Sequence, residues 1–311
     1  MKTQKFDIKK DGFYGKLYPA GATDQAAIIV VSDDDVDEMV SKISCKWITE
    51  RKLCALAISP EKGAKGCHSF PLEQVEHAVS FLKKKGCRKI GIMGASASAM
   101  IALTAASCFP DITLTIVLTP SDFVLEGYYQ DHLDGAGERP GDFESALTYH
   151  GKPLPFLPYA YRHPQYWEKH VEESKRRGAL TAARDMFDES ERRHPLTEEE
   201  LIKVENIRGK LIMAGAEDDV LWDTCKYIRR MKKRMEMKNS QAVCEALLYE
   251  HGTHFVFPES MLRKALPVGI NLVLSLIFKE AKGYKKECQQ TRVDLDWRLK
   301  QAIQDWKEEH V

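Results

Sequence analysis

The sequence has no excess of either charge and no long hydrophobic segment. Its 311 residues include 46 lysines and arginines against 46 aspartates and glutamates. Without a basic excess, binding to nucleic acid or to an anionic membrane surface is not expected as the main role. The apolar runs fall short of the roughly 18 residues that a membrane helix needs. Residues 1–13 are charged and lack the apolar core of a signal peptide. We therefore expect no membrane span and a cytoplasmic location.

The sequence also lacks the spacings that mark disulfide frameworks and metal sites. Its eight cysteines are scattered singly and form no C-x-x-C pair, which favours free thiols in a reducing compartment. The histidines that lie away from the motifs described below show no H-E-x-x-H or other ligand spacing. We therefore expect neither a metal nor another cofactor. These histidines are His68, His77, His132, His150, His163, His170 and His194.

Short apolar segments alternate with longer amphipathic ones along most of the chain. Near-continuous apolar strands separated by helical periods are typical of a parallel sheet that is covered on both faces. The predicted fold class is therefore α/β, with a mostly parallel, doubly wound sheet. Residues 6–8 and 16–18 flank Asp11-Gly12, which predicts an antiparallel hairpin at the sheet edge. The predicted parallel strands are 26–31, 53–59, 89–93, 113–118, 211–214 and 243–249.

Residues 121–205 interrupt this alternation with glycine, proline, aromatic and charged residues. The segment is too long for a simple loop and contains helix candidates at 165–177 and 197–204. We interpret it as a cap inserted within a single domain that spans 1–311, over the carboxyl ends of the strands. The charges of 184–200 favour a solvated surface helix.

The aromatic residues of the predicted cap allow two interpretations. Some could line an apolar pocket for an acyl chain, or they could simply fix the cap to the sheet. They are Phe123, Tyr128, Tyr129, Phe156, Tyr159, Tyr161 and Trp167.

The segment Gly94-Ala95-Ser96-Ala97-Ser98-Ala99 lies between a predicted strand and a helix of small residues. A serine on such a crowded turn is typical of a nucleophile elbow, although the usual G-x-S-x-G pattern ends here in Ser98. Ser96 is then the candidate nucleophile, and the Ala97 N–H is a candidate oxyanion donor. The alternative is that the small residues only allow the helix and strand to pack closely.

An acid and a histidine follow the last two predicted strands. Asp218 and Asp219 come after 211–214, and His251 and His254 come after 243–249. The order serine, aspartate, histidine is that of α/β-hydrolases, in which imidazole takes the serine proton and a carboxylate orients the imidazole. The acid could instead cap the helix that begins near 223, and His254 could be an ordinary loop histidine.

These motifs resemble the acyl-CoA thioester hydrolase and bile acid-CoA:amino acid N-acyltransferase C-terminal domain family, within the α/β-hydrolase superfamily. The resemblance implies that fold, with an inserted cap. In that family a D-x-x-W segment supplies the acid, which corresponds to Asp219, and a histidine followed by an aromatic residue and a proline corresponds to His254. The resembling segments are F-P-L-E at 70–73, G-A-S-A-S at 94–98, V-E-N-I-R-G at 204–209, D-D-V-L-W at 218–222 and G-T-H-F-V-F-P at 252–258.

One loop departs from the family. In members of the family, the first parallel strand normally leads into a glycine-rich loop that donates a second N–H to the oxyanion. This chain has Ser32-Asp33-Asp34-Asp35 at that place. A second donor would come from the region of Ser32 or Asp33. Carboxylates facing a developing oxyanion would oppose it, so we expect Asp33–Asp35 to form a solvated turn and helix cap.

The sequence thus predicts a serine hydrolase that cleaves an acyl thioester or ester. The resemblance implies a small acyl-CoA-type substrate and a triad of Ser96, His254 and Asp219. One alternative is an acyl-CoA:amino acid N-acyltransferase, although that branch of the family uses cysteine at the nucleophile position. Another is a non-catalytic acyl-binding protein on a hydrolase scaffold.

Overall fold

The first part of the chain supplies most of a central sheet. The computed structural model describes residues 2–21, 25–63, 66–130 and 139–309. Up to Leu118 the elements are β1 (Gln4–Phe6), α1 (Ile8–Asp11), β2 (Tyr14–Tyr18), β3 (Ala26–Val31), α2 (Met39–Thr49), β4 (Cys54–Ser59), β5 (Gly66–Cys67), β6 (Phe70–Pro71), α3 (Glu73–Lys84), β7 (Lys89–Ala95), α4 (Ala97–Cys108) and β8 (Ile112–Leu118).

The middle segment contains short strands and two charged helices, and the last part returns to the sheet. The middle elements are β9 (Glu126–Tyr129), β10 (Arg139–Ser145), β11 (Leu147–Tyr149), β12 (Lys152–Pro153), α5 (Gln165–Arg177), α6 (Arg184–Arg193) and a 3₁₀ turn (Val204–Asn206). They are followed by β13 (Lys210–Ala216), α7 (Thr224–Met237), β14 (Val243–Tyr249), α8 (Glu259–Leu262), α9 (Ile270–Ile277), α10 (Lys279–Gly283) and α11 (Lys285–Glu308).

The central sheet has the strand order β1-β2-β4-β3-β7-β8-β13-β14. From β4 to β14 every neighbouring pair is parallel, and β2 runs antiparallel to β4 at the other side. The carboxyl ends of β3, β7, β13 and β14 therefore meet at one edge of the sheet. This is the edge at which the predicted serine, acid and histidine loops leave the strands.

Apolar side chains cover both faces of the sheet, as the continuous apolar strands predict. One core joins β3 and β7 to α3, α4 and α7, and includes Met100, Leu103 and Ile228. The other core joins the opposite face to α2 and α11 through Trp47, Leu299 and Trp306. Helices on both faces hold the strand ends, and the loops that leave them, in fixed positions.

The predicted edge hairpin forms, but with a longer connection. β1 pairs antiparallel with β2, whereas Ile8, which we expected in the first strand, begins the one-turn helix α1. The Asp7 side chain accepts a hydrogen bond from the Lys9 N–H, and Gly12 ends the helix with φ 81°. An N-terminal aspartate and a left-handed glycine are strong helix-end signals, so they divert Ile8 from the strand.

The middle segment differs from expectation at two places. The predicted helix at 197–204 is wrong, because Leu201 forms an antiparallel bridge with Phe123 and the chain then enters the 3₁₀ turn. The helix α6 is not simply solvated, because Met186 and Phe187 are buried. The helix predicted at 165–177 is found there as α5. The cap predicted at 121–205 includes 131–138, which lie outside the described residues.

Candidate active site

Ser96 lies on a strained turn between β7 and α4. Its backbone has φ 56° and ψ −129°, a conformation that costs about 1–3 kcal/mol for a residue other than glycine. The Ser96 N–H donates to the Leu118 carbonyl oxygen at 2.9 Å, which ties the turn to β8. A Cβ added at Gly94 would lie 2.3 Å from the Ser98 carbonyl oxygen, so the close turn requires glycine there. This backbone holds the Ser96 side chain above the sheet edge, as in a nucleophile elbow.

His254 reaches Ser96 from the loop that follows β14. Its Nε2 lies 2.8 Å from Ser96 Oγ, and its Nδ1 lies 2.9 and 3.0 Å from the two carboxylate oxygens of Asp219. A carboxylate only accepts, so in the neutral imidazole Nδ1 carries the proton and Nε2 faces the serine with its lone pair. The three residues are thus in contact in the order serine, histidine, aspartate.

Asp219 is completely buried, and its carboxylate is surrounded by hydrogen-bond donors. Besides the imidazole, the Leu221 N–H donates to Oδ1 at 2.9 Å, and the Thr224 hydroxyl donates to Oδ2. Hydrogen bonds of this kind offset the cost of burying a charge. They also fix the direction in which the carboxylate points, and hence the position of His254.

The neighbouring Asp218 contacts the backbone of the histidine loop instead. Its Oδ1 accepts the Gly252 N–H at 3.0 Å and the Thr253 N–H at 2.7 Å, while Oδ2 lies 3.3 Å from His251 Nδ1. Thr253 has φ 58°, so the loop needs an external partner to hold it. Burial raises the pKa of Asp218, although the two N–H groups act in the opposite direction. Of the two acids, only Asp219 contacts His254, whereas Asp218 holds the backbone of the histidine loop by hydrogen bonds.

Two backbone N–H groups are candidates for stabilising an oxyanion beside Ser96. Ala97 is the first residue of α4, where an N–H has no partner within its own helix. The Ser32 N–H donates to the Ile58 carbonyl oxygen at 3.0 Å and is therefore engaged in the sheet. The Asp33 N–H donates no hydrogen bond to any of the residues that the structure describes. Of the two residues at which a second donor was expected, Asp33 is the one that is available.

The expectation of a solvated turn and helix cap at Asp33–Asp35 is wrong for the cap and for the Asp33 side chain, although the backbone does bend at Asp33 and Asp34. The Asp33 carboxylate turns inward and accepts hydrogen bonds from the hydroxyls of Ser98, at 2.7 Å, and Tyr128. Asp35 accepts the Asp37 N–H at 2.8 Å, and α2 begins only at Met39, too far along to be capped by these residues. The hydroxyls of Ser98 and Tyr128 thus take the place of water as the hydrogen-bond partners of the Asp33 carboxylate.

The comparisons with known proteins identify the family of the chain and its fold. The sequence model of the family described as BAAT / acyl-CoA thioester hydrolase C terminal matches residues 70–261. The chain belongs to this family. A search of curated proteins finds no match.

Solved structures place this family member in the α/β-hydrolase fold. A candidate dienelactone hydrolase from Klebsiella pneumoniae subsp. pneumoniae is similar with 10% identity and a TM-score of 0.50, over 99% of each chain. A puromycin-hydrolyzing peptidase from Mycobacterium tuberculosis is similar with 10% identity and a TM-score of 0.50, over 94% of this chain and 38% of that one. At such identities the likeness concerns the fold alone.

Sequence reasoning missed several side chains that support the site of this family member. Trp222 packs perpendicular to the His254 ring, with ring centroids 4.9 Å apart, and its indole N–H donates to the Thr119 carbonyl oxygen at 3.1 Å. Thr224 holds Asp219, and Tyr128 holds Asp33. The tryptophan of the D-x-x-W segment was a visible signal, whereas the contacts of Thr224 and Tyr128 depend on how distant loops meet.

The aromatic residues expected in the cap pack mostly against protein. Phe123 is fully buried, with its ring 5.2 Å from that of Tyr227. Tyr159 lies 5.5 Å from Phe187, which in turn lies 5.2 Å from Trp222. For Phe123 and Tyr159 these contacts favour the interpretation that the aromatics fix the segment to the sheet.

The other expected aromatics are more peripheral. Phe156 is partly buried on the same core, Tyr161 lies 5.0 Å from the Arg193 guanidinium, and Trp167 lies 5.8 Å from the His170 ring. Tyr129 stacks on His68 with ring centroids 4.0 Å apart.

Among the described residues, no cysteine and no other histidine forms a hydrogen bond with Ser96, His254 or Asp219. None of the eight cysteines is in a disulfide, and burial raises the pKa of most thiols, to about 12 for Cys225 and Cys288. Within the described ranges no group of three His, Cys, Asp or Glu side chains could hold a metal ion, and His132 lies outside these ranges. None of the described helices combines the length and apolarity needed to cross a bilayer.

Proposed function

We propose that this chain is a serine hydrolase that cleaves acyl thioesters or esters, with acyl-CoA as the substrate class. The observation that carries the proposal is the contact of His254 with Ser96 Oγ at 2.8 Å on one side and with Asp219 at 2.9 Å on the other. Membership of a thioester hydrolase family supports the choice of substrate class. Eight cysteines without a disulfide among them support a cytoplasmic location for the reaction.

In the proposed first half-reaction, the Ser96 oxygen attacks the acyl carbonyl carbon while His254 Nε2 takes the hydroxyl proton. Asp219 stabilises the imidazolium that forms. The tetrahedral intermediate then collapses, its carbon–sulfur bond breaks, and His254 returns the proton to the leaving thiolate. The products are a free thiol and an acyl-enzyme ester on Ser96. For an oxygen ester the leaving group is an alcohol, and the steps are otherwise the same.

In the second half-reaction, water takes the place of the thiol. The water oxygen attacks the acyl-enzyme carbonyl carbon while His254 removes one proton from the water. His254 then gives that proton to Ser96 Oγ as the ester bond breaks. The carboxylic acid leaves and the serine is regenerated.

The negative oxygen of both intermediates needs donors at its own position. We assign this role to the N–H groups of Ala97 and Asp33. The inward turn of the Asp33 side chain is compatible with it, because the hydroxyls of Ser98 and Tyr128 occupy the carboxylate. A carboxylate with such donors opposes a nearby oxyanion less than a bare one does.

A series of substrates tests this function. We expect kcat/KM for CoA thioesters to rise by about fourfold per methylene from acetyl upward, since each buried CH₂ contributes ~0.8 kcal/mol, and to level off when the acyl site is full. Steady-state rates with acetyl- to palmitoyl-CoA, and with p-nitrophenyl esters of the same chain lengths, give the comparison.

The Ser96→Ala protein serves as the background control for this series. Values of kcat/KM that do not change with the length of the acyl chain would contradict an apolar acyl site. Formation of an acyl-amino acid in preference to the free acid, when glycine is added, would favour the N-acyltransferase alternative over hydrolysis.

A further inference from the structure

The helix α9 is apolar on both of its faces. Ile270 and Leu274 point inward and are buried, whereas Leu272 and Leu276, on the opposite side, are 62% and 70% exposed. No charged residue occurs between 266 and 278. A helix that is hydrophobic all round normally lies in a protein core or in contact with lipid. The outward face of α9 therefore needs a covering partner.

Further apolar side chains extend this face into a patch. Val268, one turn before Leu272, is 83% exposed, and Val273 is 42% exposed. Leu180, at 72% exposure, is joined to the end of α9 because its N–H donates to the Ile277 carbonyl oxygen at 2.8 Å. We call these five residues, Leu180, Val268, Leu272, Val273 and Leu276, the α9 patch. Contiguous exposed apolar surface of this kind marks an interaction site.

Lysines border the α9 patch at its carboxyl-terminal end. Residues 279–287 contain four lysines, Lys279, Lys282, Lys285 and Lys286, against Glu280 and Glu287. All four lysines are exposed, and none forms an ion pair with another residue that the structure describes. The whole-chain charge of zero thus hides a local excess of positive charge beside an apolar face.

This pairing of features decides between two possible occupants. A second copy of the chain, docked symmetrically, would bring the same patch of each copy together, and because its border carries the same excess of lysines it would offer these lysines no complementary charge. An anionic lipid surface would instead receive the leucines among its acyl chains and attract the lysines at the level of its headgroups.

The inward side of α9 connects the patch to the candidate active site. Ile270 and Leu274 belong to a small core with Val220, which follows Asp219, and Phe255, which follows His254, packs against that core. The α9 patch is therefore on the same end of the molecule as the loops that carry the acid and the histidine.

We propose that the α9 patch and its bordering lysines dock this protein on an anionic lipid bilayer. Leu272 and Leu276 would enter the boundary between headgroups and acyl chains, and the lysines would remain at the level of the headgroups. A long-chain acyl substrate partitions into such a surface, so docking would bring the site close to its substrate. The docking step stands independently of the proposed function, because binding to lipid needs no turnover.

Vesicle flotation of the intact protein tests the docking. We expect the protein to bind vesicles of phosphatidylcholine with phosphatidylglycerol more tightly than vesicles of phosphatidylcholine alone, and to release as salt is raised. The variant L272S/L276S should lose at least about tenfold in partition coefficient, because each leucine contributes apolar burial. The matched control M237S replaces a residue that is 69% exposed at the end of α7, and it should bind as the unmodified protein does.

A second variant keeps the test informative if the leucine substitutions affect folding, which thermal unfolding would reveal. K282Q/K285Q/K286Q should weaken binding to the anionic vesicles by about fivefold per lysine and leave binding to neutral vesicles unchanged. Absence of vesicle binding by the unmodified protein would overturn the proposal. So would sedimentation of the unmodified protein as a dimer that L272S/L276S converts to a monomer, because a second copy would then cover the patch.

Discussion

Replacing Ser96 by alanine should lower kcat for acyl thioester hydrolysis by about 10⁴- to 10⁶-fold, the range typical of a removed catalytic nucleophile. The change deletes only the hydroxyl that lies 2.8 Å from His254 Nε2, while the strained turn and its hydrogen bond to Leu118 involve the backbone. Steady-state hydrolysis of an acyl-CoA by the purified variant measures the effect. Unchanged thermal unfolding would show that the loss is chemical.

Ser98→Ala is the matched control for this prediction. It also deletes a hydroxyl from the elbow, but Ser98 donates to Asp33 and does not contact His254. Because the Tyr128 hydroxyl still holds the Asp33 carboxylate, we expect Ser98→Ala to retain activity within about tenfold. Full activity of Ser96→Ala, or an equal loss in both variants, would contradict the assignment of the nucleophile.

Replacing Asp219 by asparagine should lower kcat by about 10⁴-fold, the loss known for the equivalent change in a serine protease triad. The amide would present a donor toward the Nδ1 proton of His254 or toward the Thr224 hydroxyl, so the imidazole would lose its orientation. The imidazolium that forms during the reaction would also lose its counter-charge. Steady-state hydrolysis of the same acyl-CoA by the purified variant gives kcat.

Asp218→Asn should have a much smaller effect, because an asparagine oxygen still accepts the N–H groups of Gly252 and Thr253. Asp218→Ala should cost more than Asp218→Asn, since it leaves the buried Thr253 N–H without that partner. Parallel measurement of kcat for the three variants makes the comparison. A larger loss in Asp218→Asn than in Asp219→Asn would reverse the roles of the two acids.

The central sheet was predictable from the sequence because its strands are buried on both faces and so appear as apolar segments. The predicted strands at 26–31 and 243–249 are found with the same bounds, and the ends of the other parallel strands lie within two residues of the predicted ones. The strand ends located Ser96, the pair Asp218-Asp219 and the loop that holds His251 and His254, and the resemblance to the family then selected Asp219 and His254. Chain order and strand order together bring the three side chains to one edge.

The contacts that refine the site were not predictable, because they join loops that are distant in sequence. The inward turn of Asp33 depends on Tyr128, which is 95 residues away, and on Ser98. The clamp from Asp218 to the histidine loop likewise depends on the exact approach of two loops. In the middle segment, the bridge between Phe123 and Leu201 overrides a local helical pattern. Local periodicity carries no information about such long-range pairs.

Covalent labelling shows whether Ser96 is an activated nucleophile. The intact protein is treated with a fluorophosphonate probe, and the modified peptide is identified by mass spectrometry. We expect one labelled residue, Ser96, with labelling abolished in Ser96→Ala, strongly slowed in His254→Ala and retained in Ser98→Ala. A folded protein that leaves Ser96 unlabelled, or that carries the label on another residue, would rule out Ser96 as the nucleophile and favour an acyl-binding protein on a hydrolase scaffold.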